Sequence, residues 1–261
     1  ITTALRIWQK DGYEKYRRSD LWIMGMVLGA IGAMILANLL YAYLLRESLY
    51  LLYVAVLIES GLISTFHMGY ASEIFRILLP SQIHYLWGIV VCLYSIVLVS
   101  FMGRLFDFRY HWIWGWRIIQ GIVILNIIAL LFAIAGHYGN VGFFVSRLQQ
   151  ISHLFIGAYV FYLIVLRRQN QLMLGALAFS VMAFALFVMQ GQYTGSPLLV
   201  IDSSLARLLA AGTLTHLVLL SAAVAQRVRP ARLFRLPQSG DAWAFGSTGT
   251  SVAGPPCASC A

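Results

Sequence analysis

The residues able to do chemistry in this 261-residue chain are few, and most of them interrupt long apolar runs. Glu59 lies near the middle of the run 49–68, and His153 and His216 fall at similar depth in the runs 143–166 and 203–225. Gln150 and the amides Asn38 and Asn126 complete the intramembrane polar set. A carboxylate inside a membrane is costly and marks a partner or a task, so Glu59 is expected to join His153 or His216 in a polar cluster. Two uses of such a cluster stand side by side. It is a protonation-sensitive or rearranging relay, or it is a static interhelical hydrogen bond worth ~0.6 kcal/mol around a glutamate that is simply neutral. Along the run 143–166, Ser146, Gln150, His153 and Gly157 recur at steps of four, three and four. That spacing puts them on one helix face, which should turn toward other helices and away from lipid.

Other chemistries lack their residues. A retinal Schiff base needs an intramembrane lysine, and the only lysines, Lys10 and Lys15, precede the first apolar run. Metal or haem ligation needs clustered histidines or carboxylates. None of His67, His84, His111, His137, His153 and His216 lies three or four residues from another. His67 and His84 fall near one membrane surface, as interfacial histidines often do. No Ser/His/Asp grouping and no HExxH occurs. Cys257-Ala258-Ser259-Cys260 is a CxxC without the second ligand pair of a zinc site, and Cys92 reads as a small buried hydrophobe. Neither a catalytic residue nor a cofactor or metal is expected.

The elements that must position the polar set follow from composition. Hydrophobic residues make up 61% of the chain and charged residues 10%, with a mean hydropathy of +0.81. Soluble domains carry about 25% charged residues, so this chain is all-α and integral to a membrane. Alternating segments of about ten residues would mark a barrel. Here instead are seven continuous runs, at about 21–45, 49–68, 83–102, 118–136, 143–166, 172–191 and 203–225, which predict a seven-transmembrane-helix bundle. Gly25, Gly29, Ala33 and Ala37 form a ladder of small residues on one face of the first span, where another helix of the bundle or of a second protomer can approach closely.

The net charge of +9 lies between the runs. It serves topology and anionic lipid headgroups, and nucleic acid is not expected as a partner. With seven spans, ten arginines lie on the side of the C-terminus and six lysines and arginines on the other. That bias puts the N-terminus outside and the C-terminus in the cytoplasm, although Lys15, Arg17 and Arg18 beside the first span pull the other way. The link 69–82 suggests a short interfacial helix through Ile74, Phe75, Leu78 and Leu79, and the link 103–117 is rich in aromatics and arginines suited to the headgroup level. Residues 1–20 read as the last strand and linker of an upstream extracytoplasmic domain, with a turn at Asp11-Gly12 and a helix start at Ser19-Asp20. Residues 230–261 read as a disordered low-complexity tail. A chain that opens at Ile1 is expected to be a piece of a longer protein.

Several of these stretches, in this order, carry a family resemblance. The first span holds Gly25-Met26-Val27-Leu28-Gly29 and ends in Asn38-Leu39-Leu40-Tyr41; the second opens on Tyr50-Leu51-Leu52-Tyr53 and reaches Gly61 and Gly69-Tyr70. The last span leaves through Leu219-Leu220-Ser221-Ala222-Ala223-Val224-Ala225-Gln226-Arg227-Val228-Arg229. Over roughly residues 1–229 the chain resembles the membrane module of the bacterial seven-transmembrane receptors with diverse intracellular signalling modules (7TMR-DISM). The resemblance implies the bacterial cytoplasmic membrane, a sensor domain outside it, often a carbohydrate-binding-like β-sandwich, and a homodimer. It implies a cytoplasmic effector such as a histidine kinase or diguanylate cyclase, which this chain does not contain. Where the family continues as a charged helix, this chain reads Pro230-Ala231-Arg232-Leu233 and then low complexity, as expected of a truncated or frame-shifted product. The function expected is transmembrane signal transduction without enzymatic activity in the segment present. The alternative is a proton-coupled transporter or channel-like protein using Glu59.

Overall fold

In lipid every backbone N–H and C=O must be satisfied within the protein, and a helix does this inside one segment. The computed structural model describes residues 10–67, 70–75, 78–168, 172–181, 184 and 203–233, and among these the regular structure is helical. In chain order the helices are α1 (Lys10–Leu45), α2 (Ser48–His67), α3 (Ala71–Ile74), α4 (Pro80–Leu105), α5 (Phe108–His111), α6 (Ile113–Ile134), α7 (Tyr138–Val165) and α8 (Ser203–Leu233). A further helical segment spans 173–181. Among the described residues, five stretches are long and apolar enough to cross a membrane: Arg17–Leu45, Ser48–Phe66, Tyr85–Leu105, Ile113–Ile134 and Tyr138–Val165. Within α8 the stretch Ala211–Gln226 is apolar, and most of the second half of the expected span 172–191 lies outside the described residues.

Two boundaries differ from the sequence expectation. No turn forms at Asp11-Gly12 and no helix starts at Ser19-Asp20, because α1 is continuous from Lys10. Extending a formed helix adds one hydrogen bond per residue without repeating nucleation, so the apolar span carries the charged residues before it into the same helix. Likewise α8 does not stop before Pro230 but continues through it to Leu233. The expected strand near residues 4–8 and the tail beyond residue 233 lie outside the described residues. The link 69–82 does hold a short helix, α3, but it covers Ala71–Ile74 and not Phe75, Leu78 or Leu79; α5, in the aromatic link, was not foreseen.

The turns after α1, α4 and α7 each carry a non-glycine residue in the left-handed region: Arg46 (φ 51°), Asp107 (φ 53°) and Arg168 (φ 51°). Such residues end helices by turning the chain out of the ladder. At the opposite end, Gly136 (φ 83°) does the same between α6 and α7, and Arg17 of α1 pairs with Glu73 of α3 at 2.7 Å.

Packing closes the helices into a ring. α1 lies on α2, α2 on α4, α4 on α6 and α6 on α7, while α8 returns to α1 and α2. The segment 173–181 touches both α7 and α8: Phe179 stacks on His153, and Gly175 approaches Ala223. α4 also packs on α7, which makes it the most central helix. Its Leu98, Val99, Phe101 and Met102 are fully buried with Tyr53 and Leu57 of α2, Ile156 of α7 and Leu217 and Leu220 of α8. α4 and α7 meet at Gly88, where a Cβ would stand 2.5 Å from Cγ of Tyr138, so only glycine permits this approach.

Candidate functional site

The site follows from which polar side chains the ring brings together. His216 on α8 is buried, and its Nδ1 lies 2.6 Å from the carbonyl oxygen of Ala178. A carbonyl only accepts, so Nδ1 carries the proton and donates. One residue further along α8, the carbonyl of Leu217 accepts a hydrogen bond from the hydroxyl of Tyr53 on α2. Tyr53 is fully buried, stacks on Phe101 of α4 with ring centroids 5.5 Å apart, and its hydroxyl also meets Ser221 of α8. α8 is therefore gripped at one level from two sides, by α2 through Tyr53 and by the segment 173–181 through Ala178.

His153 of α7 completes this level. Its Nδ1 donates 2.6 Å to the carbonyl of Gln149 within its own helix, and its ring stacks on Phe179, the neighbour of Ala178. His216 and His153 are linked through adjacent residues, Ala178 and Phe179, of the segment 173–181. Both Nε2 atoms are buried without a hydrogen-bond partner. With the proton on Nδ1, each Nε2 offers a lone pair inside the bundle.

Glu59 is not part of this group. It lies half-buried beside Tyr94 of α4, whose hydroxyl bonds the Ser60 side chain. The buried Oε2 of Glu59 has no hydrogen-bond partner. The two histidines come together, while the expected bond from Glu59 to either one is not formed. The reason is geometric: position along a span gives depth, and depth alone does not give the direction around the helix axis. α2 reaches α8 through Tyr53, six residues before Glu59, and it is Ser60, next to Glu59, that meets Tyr94 of α4.

The other expected residues scatter. Gln150 is only partly buried and accepts a bond from Arg147 at 3.0 Å, whereas its neighbour Gln149 is buried. The buried face of α7 includes Val145, Gln149, Ser152, His153, Ile156 and Tyr159, so it is rotated from the expected Ser146–Gln150–His153 stripe by about one residue. Asn38 and Asn126 are buried, and each turns its amide N–H back onto its own helix, to Met34 at 2.8 Å and Ile122 at 2.9 Å; both Oδ1 atoms are unpartnered. Gly25, Gly29, Ala33 and Ala37 are all exposed, and nothing stands within 4 Å of a Cβ built at Gly25 or Gly29. Among the described residues, therefore, the ladder makes no close packing contact. Gly61 of α2 supplies the close approach, against Leu28 and Ile31 on the other face of α1.

Among the described residues, no group of three or more His, Cys, Asp or Glu side chains is placed to hold a metal ion. The side chains of His67 and His84 lie outside them. Tyr53, Ser221 and Phe179 were not foreseen as site residues. Tyr53 was visible only as the sole tyrosine in the interior of its run apart from Tyr50 at its start; a hydroxyl that deep in lipid needs an acceptor, which is the signal that could have found it.

Comparison with known proteins adds one finding. A family model described as 7TM diverse intracellular signalling matches residues 20–227. No curated protein and no solved structure matches significantly.

Proposed function

Because the chain belongs to the 7TM diverse intracellular signalling family, a multi-pass membrane sensing module that is not itself catalytic, we propose that α8 is its output rod. An extracytoplasmic signal shifts the other spans, and α8 carries the shift to a cytoplasmic effector of the histidine-kinase or diguanylate-cyclase type. The setting is the bacterial cytoplasmic membrane, with the N-terminus outside and two protomers working together. The observation that carries this reading is the grip on α8 at His216 and Leu217. Two neighbouring elements hold the same level of α8, which runs on as helix through the arginine-bearing segment after Gln226 to Leu233.

Hydrogen bonds of this kind suit a switch. Inside membranes they contribute ~0.6 kcal/mol on average and at most ~1.7. That is enough to fix a register, yet small enough for ligand binding to override by differential affinity. A small translation or rotation of a packed helix is an established form of such a transition.

The test is a fusion of a diguanylate cyclase in frame beyond Leu233, expressed in bacterial membranes. Regulated product formation that changes when α8 is loosened supports the reading. Proton-coupled flux in proteoliposomes, with no control over the fused effector, would replace it by the transporter reading.

A further inference from the structure

Away from their ends, the five membrane-crossing stretches hold two charged residues, Glu59 on α2 and Arg147 on α7. Contacts along the bundle fix their depth. Between the antiparallel helices α2 and α4, Tyr53 stacks on Phe101, and Ser60, seven residues on, meets Tyr94, seven residues back. Glu59 is therefore level with Ser95 of α4. α4 and α7 run parallel, with Gly88 against Tyr138 at one end and Phe108, just beyond α4, against Phe155 and Tyr159 at the other. Nine residues on from Gly88 and from Tyr138, Val97 is level with Arg147. The two charges thus differ in depth by about two residues, or ~3 Å. The stretch Tyr85–Leu105 has 21 residues and centres on Ser95, and its length of ~30 Å matches the hydrocarbon core. Both charges lie at mid-bilayer.

Arg147 stands on the outward face of α7. Phe143, Arg147, Ile151 and Leu154 recur at steps of four, four and three, which is one helix face, and all four are exposed. Val145, Leu148, Gln149 and Ser152 form the buried face. Among the described residues, the Arg147 guanidinium lies 5.0 Å from the Phe143 ring centroid and gives one N–H to Gln150 at 3.0 Å, out of five. Charged side chains within spans turn to the bundle interior or pair with one another, and snorkelling serves residues near helix ends. Arg147 is outward and at mid-span, so this face calls for a carboxylate at the same depth. Glu59 is part exposed, beside the exposed Ile58, and its carboxylate makes no hydrogen bond or ion pair among the described residues.

We propose that Arg147 of one protomer pairs with Glu59 of a second, packing the outward face of α7 against the flank of α2. Charge and depth argue for this occupant. A lipid headgroup lies half the hydrocarbon core away, about 15 Å. The partner must carry its carboxylate at mid-depth inside a span, and this chain does so within ~3 Å of the level required. α2 and α7 stand on different sides of α4, so the contact is head-to-tail: each protomer gives Arg147 to one neighbour and Glu59 to another. The contact deepens the pairing of protomers proposed above. Its test reads association and not effector output, so the two readings fail separately.

Two differently tagged full-length copies, with Cys92, Cys257 and Cys260 replaced by alanine, are expressed together in bacterial membranes. One carries Ala55→Cys and the other Ile151→Cys. Each lies one turn from its charged residue in the same direction, so both charges stay in place and the two thiols keep the same offset in depth. Oxidation with copper phenanthroline should give a mixed disulfide-linked product at least about tenfold above that of either copy expressed alone. Glu59→Gln in the Ala55→Cys copy should lower it about tenfold, and so should Arg147→Gln in the Ile151→Cys copy. Glu59→Arg in the first together with Arg147→Glu in the second should restore it, all at matched membrane abundance. Mixed product no higher than in the single-copy controls overturns the proposal, whatever else Arg147 meets. Mixed product that survives both glutamine variants overturns it too, as does a charge exchange that leaves the product as low as the glutamine variants do.

Discussion

The membrane-spanning stretches of α1 and α4 have the same mean hydropathy, 2.2, yet they have opposite positions in the molecule. Of the most apolar window of α1, 22% is buried in the bundle; for α4 the share is 56%. α1 packs through a narrow face that includes Met24, Val27, Ile31 and Asn38, and leaves Trp22, Met26, Leu36 and Leu40 exposed. α4 is enclosed by α2, α6 and α7. In water such a difference would be written as polarity, because the outer face of a soluble helix must be charged. In a membrane the outer face meets lipid tails as apolar as leucine. Apolarity then marks what spans and says nothing of what lies inside. The small-residue ladder on α1 shows the consequence: four well-spaced small residues pointed to close packing, and they face away from the other described helices.

This contrast can be broken most forcefully in α4. Phe101→Ala removes a fully buried ring that stacks on Tyr53 and should cost about 3–5 kcal/mol. The measurement is the fraction remaining monodisperse in detergent after heating, and retention equal to the unaltered chain would show that α4 is not the centre of the core. Gly88→Val comes next. Its Cβ meets Tyr138 at 2.5 Å, an overpacking expected to cost about 1–3 kcal/mol. Tyr138→Ala in the same chain should recover much of this, a non-additivity that a thermal-denaturation double-mutant cycle reads directly.

Tyr53→Phe keeps the ring and deletes only the hydroxyl bonded to Leu217. The expected loss is ~0.6 kcal/mol and no more than ~1.7, so the fold should persist while the hold on α8 weakens. The smallest effect belongs to α1: Gly29→Ala should change the stability of the single chain by less than ~0.5 kcal/mol, because nothing lies within 4 Å of the new methyl group. If the ladder instead joins two protomers, cross-linking through Gly29→Cys should trap dimers, and Gly29→Leu should reduce other dimer cross-links.

The same contrast explains what could be read in the chain beforehand. Helical class, membrane character and the extents of α2, α4, α6 and α7 were legible to within a few residues, because backbone satisfaction in lipid leaves few alternatives. The buried state of His153, His216, Asn38 and Asn126 was legible for the same reason. What could not be read was azimuth. Gln150 was expected inside, and Gln149 is the one buried; Glu59 was expected beside a histidine, and its buried Oε2 bonds neither. Equal hydropathy on the lipid and protein faces removes the moment that would have oriented each helix. Tyr53 was overlooked because its partner is a backbone carbonyl 164 residues away, which no side-chain pattern announces.

The central claim is that Tyr53 and His216 hold α8 in the register that sets output. Its most direct test joins a diguanylate cyclase beyond Leu233 and compares cyclic dinucleotide formation in Tyr53→Phe, His216→Phe and the double variant, at matched membrane abundance. The account predicts that each single variant changes basal output severalfold and that the double variant is non-additive, as expected for two contacts on one rigid element. Output identical to the unaltered fusion in all three variants, with the protein inserted and folded, would contradict it.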